Sequence, residues 1–181
     1  MPTTNITNII EITPILLLAA TLFIAVVYDL RFQKIPNWIT FPVMAAGVAF
    51  HTVTTGVQGL AFSAGGVFTG IAVFMPFYLF SGMGAGDVKL MGAIGGLLGM
   101  KGVLTAAIGT SLAGGVYAVI LLAFHGQLVE TVKRYGQMLK EFLFTRRFVY
   151  YPPEKKERMP MLCYGVAIAC GTTLSLVINI V

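Results

Sequence analysis

The sequence predicts an all-α integral membrane protein that crosses the bilayer with six transmembrane helices and has its N and C termini outside. Of its 181 residues, 57% are hydrophobic and only 10% are charged, and the mean hydropathy is +0.86. Soluble domains usually carry about 25% charged residues. This chain has too few charges to cover a surface that faces water. We therefore expect the bilayer to be its main solvent and residues 1–181 to form a single membrane domain.

Six apolar segments are the predicted helices. A helix needs about 20 mostly apolar residues to span a membrane. The fourth segment is short, because residues 87–100 would reach only about 20 Å as a helix, against a hydrocarbon core of about 30 Å. It either crosses the bilayer or enters and leaves on the same side. The predicted spans are residues 14–31, 39–55, 60–80, 87–100, 103–124 and 162–181.

The distribution of positive charge favours a fourth segment that crosses. With six spans and the N-terminus outside, every Lys and Arg except Lys101 lies on the inner side, in agreement with the positive-inside rule. The same topology makes residues 125–160, which hold eight of these cations, a cytoplasmic basic loop. The net charge of +5 is thus explained by membrane topology, and nucleic acid is not an expected partner.

The basic loop also contains an amphipathic stretch. Leu139, Phe142 and Leu143 stand beside Lys140 and Arg147, a pattern that is typical of a short helix lying on a membrane surface. Two interpretations are open for this stretch. It is either a binding site for lipid or for a partner protein, or part of a solvated loop.

Asp29 and Asp87 are the only acidic residues that remain once the basic loop and Glu11 are set aside. An ionisable residue in a membrane segment is a functional hypothesis by default. The topology puts both at the inner ends of their spans, at similar depth. Two close carboxylates in a low-dielectric site share a proton, as the catalytic pair of an aspartic protease does. The alternative is structural pairing of Asp29 with Arg31 and of Asp87 with Lys89, or ion binding.

The residues around both acids resemble those of a known family. Gly84-Ala85-Gly86-Asp87 fits the GxGD signature of intramembrane aspartyl proteases, and residues 82–90 are similar to its prepilin peptidase version. Asp29 is followed by Ile35-Pro36-Asn37 in a D-x5-I-P-N pattern, and residues 160–171 are similar to the family's final helix. The chain therefore resembles the type IV prepilin peptidases, in a short form similar to those of Flp (tight-adherence) pilus systems.

The resemblance implies a role for each motif residue. Asp29 and Asp87 are the expected catalytic pair, and Gly84, Gly86 and Lys89 shape the second motif. The glycines are expected to allow a close backbone approach and unusual dihedral angles just before the acid. In the first motif, Pro36 restricts the residue before it to extended conformations. Asn37 is expected to cap the second helix.

The implied function is that of a membrane-embedded aspartic endopeptidase. It would remove the leader peptide of prepilins or pseudopilins at the cytoplasmic boundary of the inner membrane, with no cofactor and no metal. Besides the substrate and the bilayer, other pilus-assembly proteins are expected partners. Longer family members carry paired CxxC motifs associated with N-methylation, and this sequence has none, which puts methyltransferase activity in doubt. The alternative functions are a small ion-coupled transporter or a non-enzymatic pilus-assembly protein with the same Asp pair.

Overall fold

The computed structural model describes residues 3–79, 82–126, 128–145 and 163–180, and in these ranges the chain forms only helices and short connections. The all-α class predicted from the sequence is therefore confirmed. The six helices are α1 (Thr3–Phe32), α2 (Asn37–Thr55), α3 (Val57–Leu79), α4 (Ala85–Phe124), α5 (Leu128–Thr145) and α6 (Tyr164–Ile180).

Three of these helices are long and apolar enough to cross a membrane. Within the described residues, the qualifying segments are Ile12–Phe32, Val57–Leu79 and Ala85–Phe124, with mean hydropathies of 2.1, 1.7 and 1.9. A shorter apolar helix covers Tyr164–Ile178. This part of the chain thus has the composition of a membrane protein, as the sequence predicts.

The helix ends differ from the predicted ones at several places. α1 begins at Thr3 rather than at residue 14, with Pro14 inside the helix, because membrane helices tolerate a proline whose neighbours satisfy the freed backbone groups. The basic segment contains α5, which includes residues 139–145 of the predicted amphipathic stretch; Arg147 of that stretch lies outside the described residues. The rest of that segment, residues 146–160, lies outside the described residues.

α4 replaces two predicted helices, and it is interrupted at one residue. Gly99 has φ 70° and ψ −176°, a left-handed conformation that glycine adopts without a steric penalty. It divides α4 into a first arm, residues 85–98, and a second arm, residues 100–124. The predicted break at residues 101–102 is therefore wrong by two residues, because the reversal uses the backbone freedom of a glycine rather than the polarity of Lys101.

The two arms run in opposite directions. The Gly102 carbonyl accepts a hydrogen bond from Ser175, near the end of α6, whereas a Cβ on Gly114 would lie 3.7 Å from Ala167, near its start. Asp87, in the first turn of α4, lines the same cavity as Asp29, and Asp29 accepts a hydrogen bond from Gly165 at the start of α6. A straight helix would separate residues 87 and 114 by about 40 Å, so the chain must reverse at Gly99.

Side chains of α2 and α3 contact carbonyl groups in the turn just before the break. Ser63 donates to the Gly96 carbonyl at 2.6 Å, and His51 Nε2 lies 3.1 Å from the Leu97 carbonyl. An unsatisfied backbone group in the hydrocarbon region costs several kcal/mol. These two contacts therefore tie α2 and α3 to the reversal of α4.

Glycines bring the first arm into backbone contact with α2 and α3. Gly95 faces Gly66 of α3 so closely that a Cβ on either residue would overlap the other's carbonyl. A Cβ on Gly47 of α2 would lie 2.8 Å from the Gly96 carbonyl oxygen. Glycines four residues apart, as Gly92 and Gly96 are, allow helix backbones to approach this closely.

The described chain divides into two compact units. The first comprises Met1–Gly114 and Cys163–Val181, and the second comprises Gly115–Leu162. In the first unit, α1 packs against α2 and α6, and α2 packs against α3. All residues of the candidate site lie in this first unit.

Candidate active site

The end of α1 places Asp29. The Gln33 N–H donates to the Asp29 carbonyl oxygen at 2.9 Å, and Gln33 itself has φ 52°. A left-handed residue with this hydrogen bond is a common way for a helix to end. Asp29 is therefore held in the last turn of α1, with its side chain only 6% exposed.

The start of α4 places Asp87. The Asp87 N–H donates to the Gly84 carbonyl, and the Gly84 N–H donates to Asp87 Oδ2 at 3.1 Å. An acid at the third helical position that returns to the N-cap N–H is half of a capping box. The GxGD motif thus fixes its carboxylate against its own backbone, and Asp87 is only 8% exposed.

α6 contributes a residue that sequence reasoning missed. The Gly165 N–H donates to Asp29 Oδ2 at 2.8 Å, in a buried bond between residues 136 positions apart. Gly165 lies within the stretch that resembles the family's final helix. That resemblance was the only available signal, because nothing in the local sequence tells which backbone N–H will face Asp29.

Asn37 and Lys89 have different contacts from those expected. α2 begins at Asn37 after Pro36, which has φ −76° and ψ 144°, and no side chain caps the helix. The expectation that Asn37 caps α2 is wrong, because its Oδ1 instead accepts a hydrogen bond from Lys89 Nζ at 2.9 Å. The same ammonium lies 5.1 Å from the centre of the Phe41 ring. Lys89 therefore joins α4 to the start of α2.

The proposed ion pairs of the structural alternative are not formed. Among the described residues, Lys89 bonds Asn37 rather than Asp87. In the described part of the chain, the hydrogen bonds to the two carboxylates come from backbone N–H groups of Gly84 and Gly165. The observed contacts therefore do not support simple charge pairing as the reason for these two buried acids.

Gly84 and Gly86 allow the backbone of the second motif to pack closely against its neighbours. They do not adopt unusual dihedral angles. Neither is among the described glycines with positive φ, so the expected unusual conformation is not found. A Cβ on Gly86 would lie 2.9 Å from both the Cβ and the carbonyl oxygen of Ile35. The second motif thus packs directly onto the backbone of the turn between α1 and α2.

One cavity brings the two motifs together. Its volume is about 340 Å³, and it includes both buried carboxylates, both motif glycines and the Lys89–Asn37 bond. Of the predicted site residues, only Pro36 does not line it. The lining residues are Asp29, Gln33, Lys34, Ile35, Asn37, Gly84, Ala85, Gly86, Asp87 and Lys89.

The donor set of this cavity favours acid–base chemistry. Two carboxylates that face a common space can hold one proton between them, so that one acts as a base while the other acts as an acid. Among the described residues, no group of three or more His, Cys, Asp or Glu side chains is arranged to hold a metal ion. The arrangement thus offers one group that can act as a base and one that can act as an acid.

Residues 16–119 match the sequence model of the type IV leader peptidase family. The matched range covers more than half of the chain and includes Asp29, Asp87 and the turn between α1 and α2. The chain belongs to the type IV leader peptidase family.

Three curated relatives, each named prepilin leader peptidase/N-methyltransferase, are similar to this chain. The protein of Xanthomonas campestris pv. campestris is 29% identical over 117 residues, which cover 61% of this chain and 41% of the relative. That of Bacillus subtilis is 32% identical, with coverages of 60% and 44%. That of Klebsiella pneumoniae is 36% identical, with coverages of 48% and 40%. The chain therefore spans less than half the length of these relatives. No solved structure matches it.

Proposed function

We propose that this protein is a membrane-embedded aspartic endopeptidase that removes the leader peptide of prepilins or pseudopilins. The observation that carries the proposal is the placement of Asp29 and Asp87, two buried acids from separate helices, in one cavity. Membership of the type IV leader peptidase family supports the substrate class. The implied substrate has a short basic leader ahead of an apolar helix, and cleavage falls between the two.

The carboxylates supply both proton transfers of the reaction. One of them, ionised, takes a proton from water, which attacks the scissile carbonyl carbon. The other, protonated, donates to the carbonyl oxygen, and the proton held by the base then passes to the leaving amine. The backbone bonds of both acids engage Oδ2. Within the described residues, Oδ1 of each acid is therefore left for water or substrate.

The same proposal places the site at the cytoplasmic boundary of an inner membrane. Helices α1, α2 and α3, the two arms of α4, and α6 give six crossings. Because the positive-inside rule assigns the basic segment to the cytoplasm, both termini lie outside. Asp29 and Asp87 then lie at the inner ends of their helices, where a leader and a membrane-embedded segment of the substrate meet.

A pair of cysteine substitutions tests this topology. Lys140 of α5 and Lys101 beside the α4 break are both exposed. In a background with Cys163→Ala and Cys170→Ala, we expect Lys140→Cys to react with a membrane-impermeant maleimide only from the cytoplasmic side. Lys101→Cys should react only from the opposite side. Labelling of both cysteines from one side would contradict six crossings and the proposed depth of the site.

The shared-proton mechanism predicts a bell-shaped dependence of kcat/KM on pH. Activity should fall in acid, where both carboxylates are protonated and no base remains, and in alkali, where both are ionised and no acid remains. Because the carboxylates supply both functions, EDTA should leave the rate unchanged. The measurement is cleavage of a purified prepilin in detergent. Inhibition by EDTA that added Zn²⁺ reverses would overturn the mechanism.

A further inference from the structure

The first turn of α6 lacks a capping side chain of its own. The Val166 N–H donates to the Cys163 carbonyl at 3.3 Å, which makes Cys163 the N-cap residue. An N-cap side chain normally accepts a hydrogen bond from the second or third helical N–H, and Ser, Thr, Asp and Asn supply the oxygen for it. Cysteine has no such oxygen. The buried N–H of Gly165, at the second helical position, therefore needs an acceptor from elsewhere.

Asp29 supplies that acceptor from α1. Its Oδ2 accepts the Gly165 N–H at 2.8 Å. The positive end of the helix dipole also favours an anion at this position. One carboxylate thus caps α6 and lines the cavity, so the capping bond holds a reacting group in place.

A glycine is required at position 165 because a side chain there would have no room. The backbone conformation does not require it. Gly165 is not among the described glycines with positive φ, so its backbone suits any residue. A Cβ at this position, however, would lie 2.9 Å from Oδ2, 3.0 Å from Cβ and 3.2 Å from Cγ of Asp29. The Asp29 side chain therefore lies directly against the α6 backbone, and any side chain at position 165 would displace it.

We infer that Gly165 is a positioning residue for the reaction, because its N–H fixes Oδ2 of Asp29 and its missing side chain lets the carboxylate reach that N–H. This inference rests on the proposed function. It assigns to α6 a part in the chemistry, in addition to the two helices that carry the acids. A glycine that only allowed helices to pack would have no effect on catalysis in the folded protein.

Two other glycines provide matched controls for Gly165→Ala. Gly171 lies on the same helix, and a Cβ there would overlap the backbone and side chain of Thr110, so its role is packing alone. A Cβ on Gly114 would make only ordinary contacts, at 3.7 Å from Ala167 and Tyr164. Gly171→Ala should therefore lower thermal stability in detergent but leave the rate per folded molecule unchanged. Gly114→Ala should leave the rate unchanged and should not lower the unfolding temperature, because Ala favours a helix more than Gly does.

Gly165→Ala should show the opposite pattern to Gly171→Ala. We expect kcat to fall by about 100-fold, because a displacement of about 1 Å is that costly for a reacting group, with KM within about twofold of the wild-type value. The unfolding temperature should change less than that of Gly171→Ala. The inference is overturned if kcat is retained, or if the loss appears in KM alone.

A backbone substitution tests the hydrogen bond without adding any atom. Glycolic acid incorporated at position 165 replaces the N–H with an ester oxygen and leaves the space unchanged. We expect kcat to fall by about tenfold, a typical effect for one lost hydrogen bond to a charged group. An unchanged kcat would refute the positioning role, even if Gly165→Ala failed to fold. If Asp29→Asn also retained full activity, the proposed function itself would fail. If Asp29→Asn lost activity while the variants at position 165 kept theirs, only the positioning role would fail and the proposed function would stand.

Discussion

Asp29→Asn and Asp87→Asn should each abolish detectable prepilin cleavage. We expect kcat/KM to fall by about 100-fold to 10,000-fold or more. General acid–base catalysis by a positioned side chain contributes effects of this size. An amide can neither take the proton from water nor donate one to the carbonyl oxygen as a carboxyl group does. The measurement is the appearance of processed pilin, followed by mass spectrometry. Substantial cleavage by either variant would disprove the assignment of both acids.

The structure also predicts how the Asn and Ala variants differ. An Asn at position 29 keeps an oxygen that can accept the Gly165 N–H, so Asn at this site should leave the fold intact. Asp29→Ala removes the cap of α6 and should lower the free energy of unfolding by about 1 kcal/mol. Glu130→Gln, an exposed acid on α5, serves as the control and should change neither activity nor unfolding in detergent.

Gly95→Ala should be the more damaging of two glycine substitutions in the first arm of α4. A Cβ on Gly95 would overlap the carbonyl group of Gly66 in the backbone of α3, and backbone cannot move aside without separating the helices. Overpacking of this kind costs typically about 1–3 kcal/mol. We therefore expect a clear fall in the unfolding temperature in detergent, with the activity of the remaining folded molecules retained because Gly95 does not line the cavity.

Gly92→Ala is the matched control for that substitution. A Cβ there would lie 2.8 Å from the terminal methyl of Met44 and 2.9 Å from Ile71 Cγ1. These are side-chain atoms, and the Met44 methyl is a flexible end that can move aside more easily than backbone. The gain in helix propensity from Gly to Ala, about 1 kcal/mol, is the same at both positions, so it cancels in the comparison. Equal unfolding temperatures for the two variants would refute the backbone-contact explanation.

Much of the site could be predicted from the sequence, because charge is expensive in a membrane. Two acids in apolar segments, each beside a recognisable motif, identify Asp29 and Asp87 without any structure. The cavity that contains both acids fits this hypothesis, and their catalytic role remains a prediction. The apolar helices could be predicted for a similar reason, because a run of about 20 apolar residues has the length that a helix needs to cross a membrane.

The remaining features depend on contacts that a single sequence does not encode locally. Gly99 is one of several glycines in its segment, and only packing against α3 decides which of them adopts positive φ. Asn37 looks like a helix cap by residue type, but its oxygen bonds Lys89, a residue on another helix. Gly165 contributes a backbone N–H, a group that every residue except proline carries. Its importance comes from its position beside Asp29 alone.

Asp29 leaves the ribosome as part of the first helix, and its hydrogen-bond donor follows 136 residues later. At a translation rate of about 5–20 residues per second, the delay is roughly 7 to 27 seconds. During that interval α1 is present without α6, and the Asp29 carboxylate lacks the hydrogen bond that fixes it. Under the proposed function, a half-synthesised chain therefore carries no finished proteolytic centre. Each new molecule would become competent to cut only after α6 has been made and has packed against Asp29.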